Sequence, residues 1–568
     1  MWIVALVVVI VLVLAIVAYV ATQPTGPPAP PTVLVVGTTE VEETLDPADA
    51  YNYFSVNMLQ NTMATLLTYS ESGDGTLAPN LLTEVPSDAN GGITPNGLTY
   101  TLHLRQDAEF EDGTPINASV VKFSIDRSVK AMFDPAANQD RLAVPSFLLD
   151  PIEGANAYFT AFTGLIDDPA NHTQAEVDAA WANYVASGVE VVDEWTVEIH
   201  MGRVWSPMVQ LLAFTSMTPV NPNAFTQDAF KPAATDISAS GPFRVAAFVP
   251  GERAELVRNP TWFGTPAQME KVVIRFYQTG SALALALESG EIDVAYRNLD
   301  PQDFNRLAGD ARFRAESGSS PVIRYLVFKA NSAPFDDPDL RRALAYAVDR
   351  GPIVETVFLN STAPLYSLVP EGMFGHKDVF LTQYPRNVAT ARTMIEAAGF
   401  SAANPLTFNL WYTPSRYGTT EADVAQLIKQ AWEETGVVQV TLQNQEWGTY
   451  RQSFRQGLFN VFLLGWFPDY LDPDNYVFPF LHCGSGGTAS FGSWYCNNPL
   501  DAQIELQARQ TDPAQREQTL FGIQDTLAAD VPYIPLWQTT QQIVYKPSVT
   551  GIVLDDSQLF RYYTLKIT

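Results

Sequence analysis

Basic residues are scarce in this chain. Its 568 residues hold 33 Lys+Arg against 62 Asp+Glu, a net charge of −29. Nucleic acid is bound chiefly by neutralising phosphates, so such a chain repels it, and nucleic acid is excluded as a partner. The same deficit disfavours docking on anionic headgroups. Histidine is scarcer still. His103, His172, His200, His376 and His482 are scattered and never paired at the helical spacing of metal ligands. No H-E-x-x-H, G-x-S-x-G or G-x-x-x-x-G-K-[ST] occurs, so the commonest zinc-protease, serine-hydrolase and phosphate-loop templates are missing. The expectation is no catalytic residue, no metal and no cofactor. A membrane-anchored hydrolase is kept as the alternative from a different class.

Cysteine is nearly absent. The two that occur, Cys483 and Cys496, stand close together in a Gly/Ser-rich stretch. An oxidising compartment would pair them, which by chain-entropy reasoning contributes about 3 kcal/mol. The alternative is two unrelated buried thiols. Long apolar runs are absent too, with one exception: Trp2–Ala21 carries no Lys or Arg, and its 20 residues match the thickness of a bilayer. A cleaved export signal would show a basic start, a shorter apolar run and an A-x-A-like site. None is convincing here, and no cysteine comes after the run for lipid attachment. The reading is an uncleaved anchor (1–22), with a cleaved signal as runner-up. A stiff proline-rich spacer (23–32, with QPTGPPAPPT) comes next. The chain beyond this spacer is expected to lie outside the cytoplasm, tethered by the one apolar segment.

The remainder has material for large cores, with 46% hydrophobic and 12% aromatic residues. Its length argues for two to four compact units. Val33–Val36 reads as a strand, Val56–Leu67 as a helix and Leu98–Leu104 as a strand. A helix from Ala118 comes after it, with Asn117 as its cap. The stretch 131–188 is alanine-rich and weakly patterned, an elaboration rather than a core. Strand signals return at Val189–Val192, Thr196–Met201, Phe243–Phe248, Ala254–Arg258 and Lys271–Tyr277, and Ser281–Ser289 reads as a helix. Asp337 with Pro338 opens another helix. From Leu406 the chain alternates: strand Leu406–Tyr412, helix opened by a Thr420/Asp423 capping box, strand Val438–Gln443, helix Trp447–Arg455, strand Phe459–Gly465. This βαβαβ order predicts a locally parallel sheet covered by helices.

In open parallel sheets, ligands gather outside the carboxyl ends of the strands. Asp469 lies beyond Phe459–Gly465, and Arg416 lies beyond Leu406–Tyr412. The two therefore share one edge of one sheet, among Trp411, Tyr412, Tyr417, Trp466 and Tyr470. A solute with a charged amine and a charged carboxylate needs such partners: a carboxylate for one end and a guanidinium fork for the other. Aromatics supply apolar walls. The competing reading pairs Asp469 with Arg416 or with solvent. Asp469, Asp472 and Asp474 also suggest calcium, but the glycine and distal glutamate of a calcium loop are missing.

Several stretches together carry a family resemblance. They are LDPADAYNYFSVNMLQNTMATLLTY (45–69), GLTYTLHLRQDAEFEDGTPINASVVKFSIDRSV (97–129), SGPFRVAAFVPGERAELVRNPTWFG (240–264), SGEIDVA (289–295), DDPDLRRALAYAVDR (336–350) and LGWFPDYLDPDNYVFPFLHC (464–483). In this order they resemble the peptide/nickel group of extracellular solute-binding proteins of ABC importers, over about residues 33–568. The resemblance implies an α/β, two-lobed periplasmic-binding-protein fold of type II, in its large three-region variety. Lobe I would be built from 33–72, 189–320 and 536–568, an inserted region from 73–188, and lobe II from 321–535. Crossings are expected near Pro321–Arg324 and Pro532–Pro535, with hinge closure trapping the ligand.

It also implies that Asp469, in the family's GW-x-x-D loop, takes a peptide's ammonium. Arg416, after WYTPS, would take the carboxylate, although this stretch is one residue shorter than the family's W-x-x-P-x-x-R. Tyr51, Tyr53, Trp411, Trp466 and Tyr470 would help line the pocket. The implied partners are short peptides and the permease subunits with their ATPases, and a monomer is expected. A different solute, an oligosaccharide or nickel chelate, is the alternative within the same role.

Overall fold

Strands rich in Val, Ile, Leu and Phe on both faces must be covered on both faces, and two sheets of this kind set the architecture. The computed structural model describes residues 32–40, 44–73, 75–131, 148–231, 236–414, 416–485 and 487–568. The anticipated anchor and nearly all of the proline-rich spacer lie outside the described residues. Among the described residues, no helix is long and apolar enough to cross a membrane.

The chain begins with β1 (Val33–Thr38) and helix α1 (Tyr53–Thr62). Asn52 caps α1, its side chain accepting from Ser55 N at 2.8 Å. An inserted region comes next. β2 (Thr99–His103), β3 (Val189–Asp193) and β4 (Thr196–His200) form their own sheet in the order β2-β4-β3. The expected boundary at 188 is therefore too early: β3 and β4 pair with each other and with β2, not with the sheet of the first lobe. Helix α2 (Ala118–Ala131) packs on this sheet, with Asn117 accepting from Val120 N at 3.1 Å. The weakly patterned stretch holds two more helices, Ala155–Asp167 and Gln174–Ser187, the second opened by a Thr173/Glu176 capping box. One buried ion pair ties the region to the first lobe. Arg127 of α2 donates through Nη1 and Nη2 to both oxygens of Asp46, at 2.7 and 2.5 Å.

The first lobe resumes with β5 (Phe243–Val249), β6 (Arg253–Arg258), β7 (Lys271–Phe276), β8 (Val294–Tyr296) and β9 (Arg314–Gly318). The chain then crosses to the second lobe: β10 (Ile323–Phe328), β11 (Ala363–Pro364), β12 (Leu406–Tyr412), β13 (Val438–Asn444), β14 (Val461–Trp466) and β15 (Tyr533–Gln538). It returns with β16 (Gln541–Tyr545). The first sheet runs β9-β16-β8-β1-β7-β6-β5 and the second β11-β15-β10-β14-β12-β13. β12 is parallel to both β13 and β14, as the βαβαβ pattern requires, whereas β10 is antiparallel to its neighbours. Helices α3 (Glu421–Glu433) and α4 (Trp447–Arg455) make the crossovers. The Thr420/Asp423 capping box does not form. Thr420 is itself helical in backbone and makes no side-chain cap bond.

The two crossings lie side by side. Thr539 N donates to Val322 O at 2.9 Å, and the Ser320 and Thr539 hydroxyls are 3.0 Å apart. The second crossing is thus at 538–541 rather than Pro532–Pro535, because β15 stays paired with β10 through Tyr533–Pro535 and on to Gln538. Helix α5 (Asp474–Leu481) comes after β14, and the loop beyond it is closed by a Cys483–Cys496 disulfide spanning 13 positions. Replacing both cysteines by serine should lower unfolding free energy by about 3 kcal/mol, measured by urea denaturation against the oxidised protein. An unchanged midpoint would mean that the loop is held by its packing alone.

Candidate functional site

Strand β14 ends in Gly465–Trp466, and the next residues turn back into α5. That turn is held by one side chain. Asn475, in the first turn of α5, accepts from Asp469 N and from Trp466 Nε1, each at 2.9 Å, and donates from Nδ2 to Asp469 Oδ2 at 3.1 Å. The Asp469 carboxylate is thereby fixed at the wall of a cavity between the lobes.

From the first lobe come Tyr51 and Tyr53, and Phe214 comes from the stretch between β4 and β5. From the second lobe come Tyr325, Arg416, Tyr417, Trp447, Trp466, Phe467 and Asp469. The walls are largely aromatic. The Tyr325 hydroxyl and the Trp447 Nε1 are buried there without a hydrogen-bond partner, while the Tyr51 hydroxyl stands beside Asp469. Buried polar groups are normally satisfied, so two unsatisfied ones at one cavity are unusual. Arg416 rests its guanidinium over the Trp447 ring at 5.3 Å.

Asp469 is 8% exposed. Burial pushes its carboxyl up to about 7; the Asn475 amide and the neighbouring Tyr51 hydroxyl pull the other way and only partly offset it. Arg416 and Arg455 line the same cavity, yet among the described residues no cation contributes to the shift. The competing reading, in which Asp469 is solvated or paired with Arg416, does not describe this carboxylate. It is a buried acid with neutral partners, facing a cavity.

The structure brings Asp469, Arg416, Trp466, Tyr51 and Tyr53 to one cavity and leaves Tyr470 and Trp411 out of its lining. Tyr470 turns into the core, where its hydroxyl donates to Asp474 Oδ2 at 2.9 Å and its ring meets Trp205 edge-on. Trp411 sits on the opposite pleat of β12 from Leu410 and Tyr412, stacked on Phe459 at 4.3 Å. Asp472 and Asp474 are occupied as well: Arg516 grips Asp472 through two bonds of 2.5 and 2.8 Å, while Trp205, Tyr470 and Gln507 donate to Asp474. Sequence reasoning missed Asn475, whose only signal is its place at the start of a helix beside the GWFPD loop. It missed Trp447 and Tyr325 because an aromatic on a helix or a buried strand reads as core. The disulfide-closed loop contributes too: Ser490 and Phe491 reach the same cavity.

The chain is similar to known proteins over most of its length. Residues 76–488 match the family model of bacterial extracellular solute-binding proteins, family 5 Middle. The chain is 27% identical over 479 residues to the periplasmic oligopeptide-binding protein OppA of Salmonella typhimurium, covering 82% of each. It is 23% identical over 541 residues to the probable D,D-dipeptide-binding periplasmic protein DdpA of Escherichia coli, covering 94% of each. Among solved structures, the murein tripeptide binding protein MppA of Escherichia coli superposes with a TM-score of 0.77 at 22% identity, over 95% of this chain and 99% of that one. The fold is accordingly the two-lobed, type II binding-protein fold. A family match over most of the chain and a buried acid in an interlobe cavity lead to one conclusion: the chain belongs to family 5 of the bacterial extracellular solute-binding proteins.

Proposed function

We propose that this protein is the extracytoplasmic receptor of an ABC importer for short peptides. It would work as a monomer tethered by the apolar segment Trp2–Ala21. It binds and releases, and breaks no bond. The observation that carries the peptide assignment is the Asp469 carboxylate, buried beside a cavity with only neutral partners. A buried charge without a counter-ion is costly. A peptide ammonium entering the cavity supplies the missing cation, and the Tyr325 hydroxyl and Trp447 Nε1 gain partners. Arg416 stands ready for the peptide carboxylate, and the aromatic walls take side chains with little chemical preference. Closure of the lobes about the paired crossings at 319–322 and 538–541 would enclose the ligand and complete the surface that a permease reads.

Titration calorimetry with Ala-Ala and longer alanine peptides tests this directly. Asp469→Ala should weaken binding by about 3 kcal/mol or more, since the ammonium would then be buried unpaired. Affinity within twofold of wild type would dismiss the assignment.

The raised pKa gives a second test. In the empty protein Asp469 holds its proton below about pH 7, and binding an ammonium must expel it. Peptide affinity should therefore fall about tenfold for each pH unit below 7, and should fall again above about pH 8 as the peptide amine loses its proton. A flat profile from pH 5 to 7 would contradict the linkage.

A third test needs no ligand. Because the folded state raises this pKa, its contribution favours folding most below the unfolded value. It is lost as pH climbs from about 4 to 7. Asp469→Asn should leave stability nearly unchanged at pH 4. At pH 8 it should raise the stability of the empty protein by up to about 4 kcal/mol. Equal urea midpoints at pH 8 would refute the burial of a bare carboxylate.

A further inference from the structure

Beyond the Asp469 cavity lies a second chamber, sharing with it the walls Arg416, Tyr417 and Phe467. Its chemistry is different. Arg297 enters from the first lobe and Arg324 from the second, and Arg416 stands on the shared wall.

Both new arginines are held rigidly. Arg297 lies 3.7 Å over the Tyr53 ring and 5.0 Å from that of Phe467. It precedes Asn298, and both take left-handed backbone, with φ of 71° and 61°. That conformation costs a residue with a side chain of order 1 kcal/mol or more, and it persists where surrounding structure imposes it, commonly at ligand sites. Arg324 is 2% exposed, with its guanidinium 3.4 Å over the Tyr417 ring and 5.3 Å from Trp537. Its room depends on a missing side chain: a Cβ at Gly465 would stand 2.7 Å from Arg324 Nη1.

Neither is fully used. Glu421 takes Arg324 Nη2 at 2.5 Å, leaving Nε and Nη1 buried without a partner. Glu40 comes no nearer to Arg297 than 3.9 Å, leaving Nη1 buried and unpartnered. The third acid, Asp300, is occupied by the Ser281 and Thr419 hydroxyls. Buried guanidinium donors left open are expensive, and carboxylates are the groups they match best.

We infer that this outer chamber is a second anion subsite, selecting peptides whose carboxyl-terminal residue has an acidic side chain. The inference rests on the peptide reading of the Asp469 cavity. A ligand whose terminal carboxylate lies at Arg416 directs its last side chain past the shared wall, toward Arg297 and Arg324. Because these two come from opposite lobes, an acidic group between them would also help hold the lobes closed.

Calorimetry at pH 7.5 with Ala-Glu and its neutral isostere Ala-Gln tests it. Ala-Glu should bind at least tenfold tighter, and Arg297→Met should reduce that ratio to threefold or less. Arg324→Met, checked for folding by circular dichroism, should do the same. The wild-type comparison alone decides the matter if either variant misfolds. Equal affinities for the two dipeptides would overturn the subsite while leaving the peptide reading intact. An Ala-Ala-Ala affinity matching that of Ala-Glu would overturn it too, by giving the chamber to the terminal carboxylate of a longer neutral peptide. Failure of every peptide to bind would sink both.

Discussion

A carboxylate held away from water with no cation beside it shapes the centre of this molecule. Burial makes the charged form of Asp469 unfavourable, so in the empty protein the carboxyl keeps its proton up to about pH 7. Asn475 makes the arrangement stable enough to exist. It fixes the turn after β14 through three hydrogen bonds and adds no charge. A lysine or arginine in its place would satisfy the acid permanently and remove any reason to bind a cationic group. The neutrality of the support is therefore as informative as the acid itself.

The rest of the fold can be understood as holding this site open to a partner surface. Tyr51 and Tyr53 precede or begin α1 in the first lobe, while Asp469, Trp466 and Arg416 belong to the second. Two short crossings joined by Thr539 N to Val322 O connect the lobes. Elsewhere rigidity dominates. The Arg127–Asp46 pair locks the inserted region to the loop ahead of α1, and the disulfide fastens the loop bearing Ser490 and Phe491. The two chambers differ in chemistry: the first sets an acid among aromatic walls with Arg416 and Arg455 also in its lining, and the second holds the open guanidinium donors of Arg297 and Arg324.

Local pattern served well where local forces decide. The β12–α3–β13–α4–β14 alternation, the Asn117 cap and the Asp337–Pro338 helix start form as their residues suggest. It served poorly where long-range pairing decides. β3 and β4 read as strands, but nothing in them says that β2 is their neighbour. The same holds for β15, whose pairing with β10 moves the second crossing to 538–541.

The sequence by itself pointed to the class of protein through six stretches that resemble a known family, to an acidic character that disfavours nucleic acid, and to two charged residues at one sheet edge. The second comes from composition, and the third from the rule that parallel strands present their carboxyl ends together. Only the tertiary structure decided which aromatics face the cavity, because Trp411 and Trp466 are chemically alike and differ in the neighbour each finds. It alone decided that Asp469 has no cation paired with it among the described residues, that Asn475 holds it, and that Arg297 and Arg324 line one chamber from opposite lobes. Such facts depend on contacts between residues far apart in the chain, which no local spacing encodes.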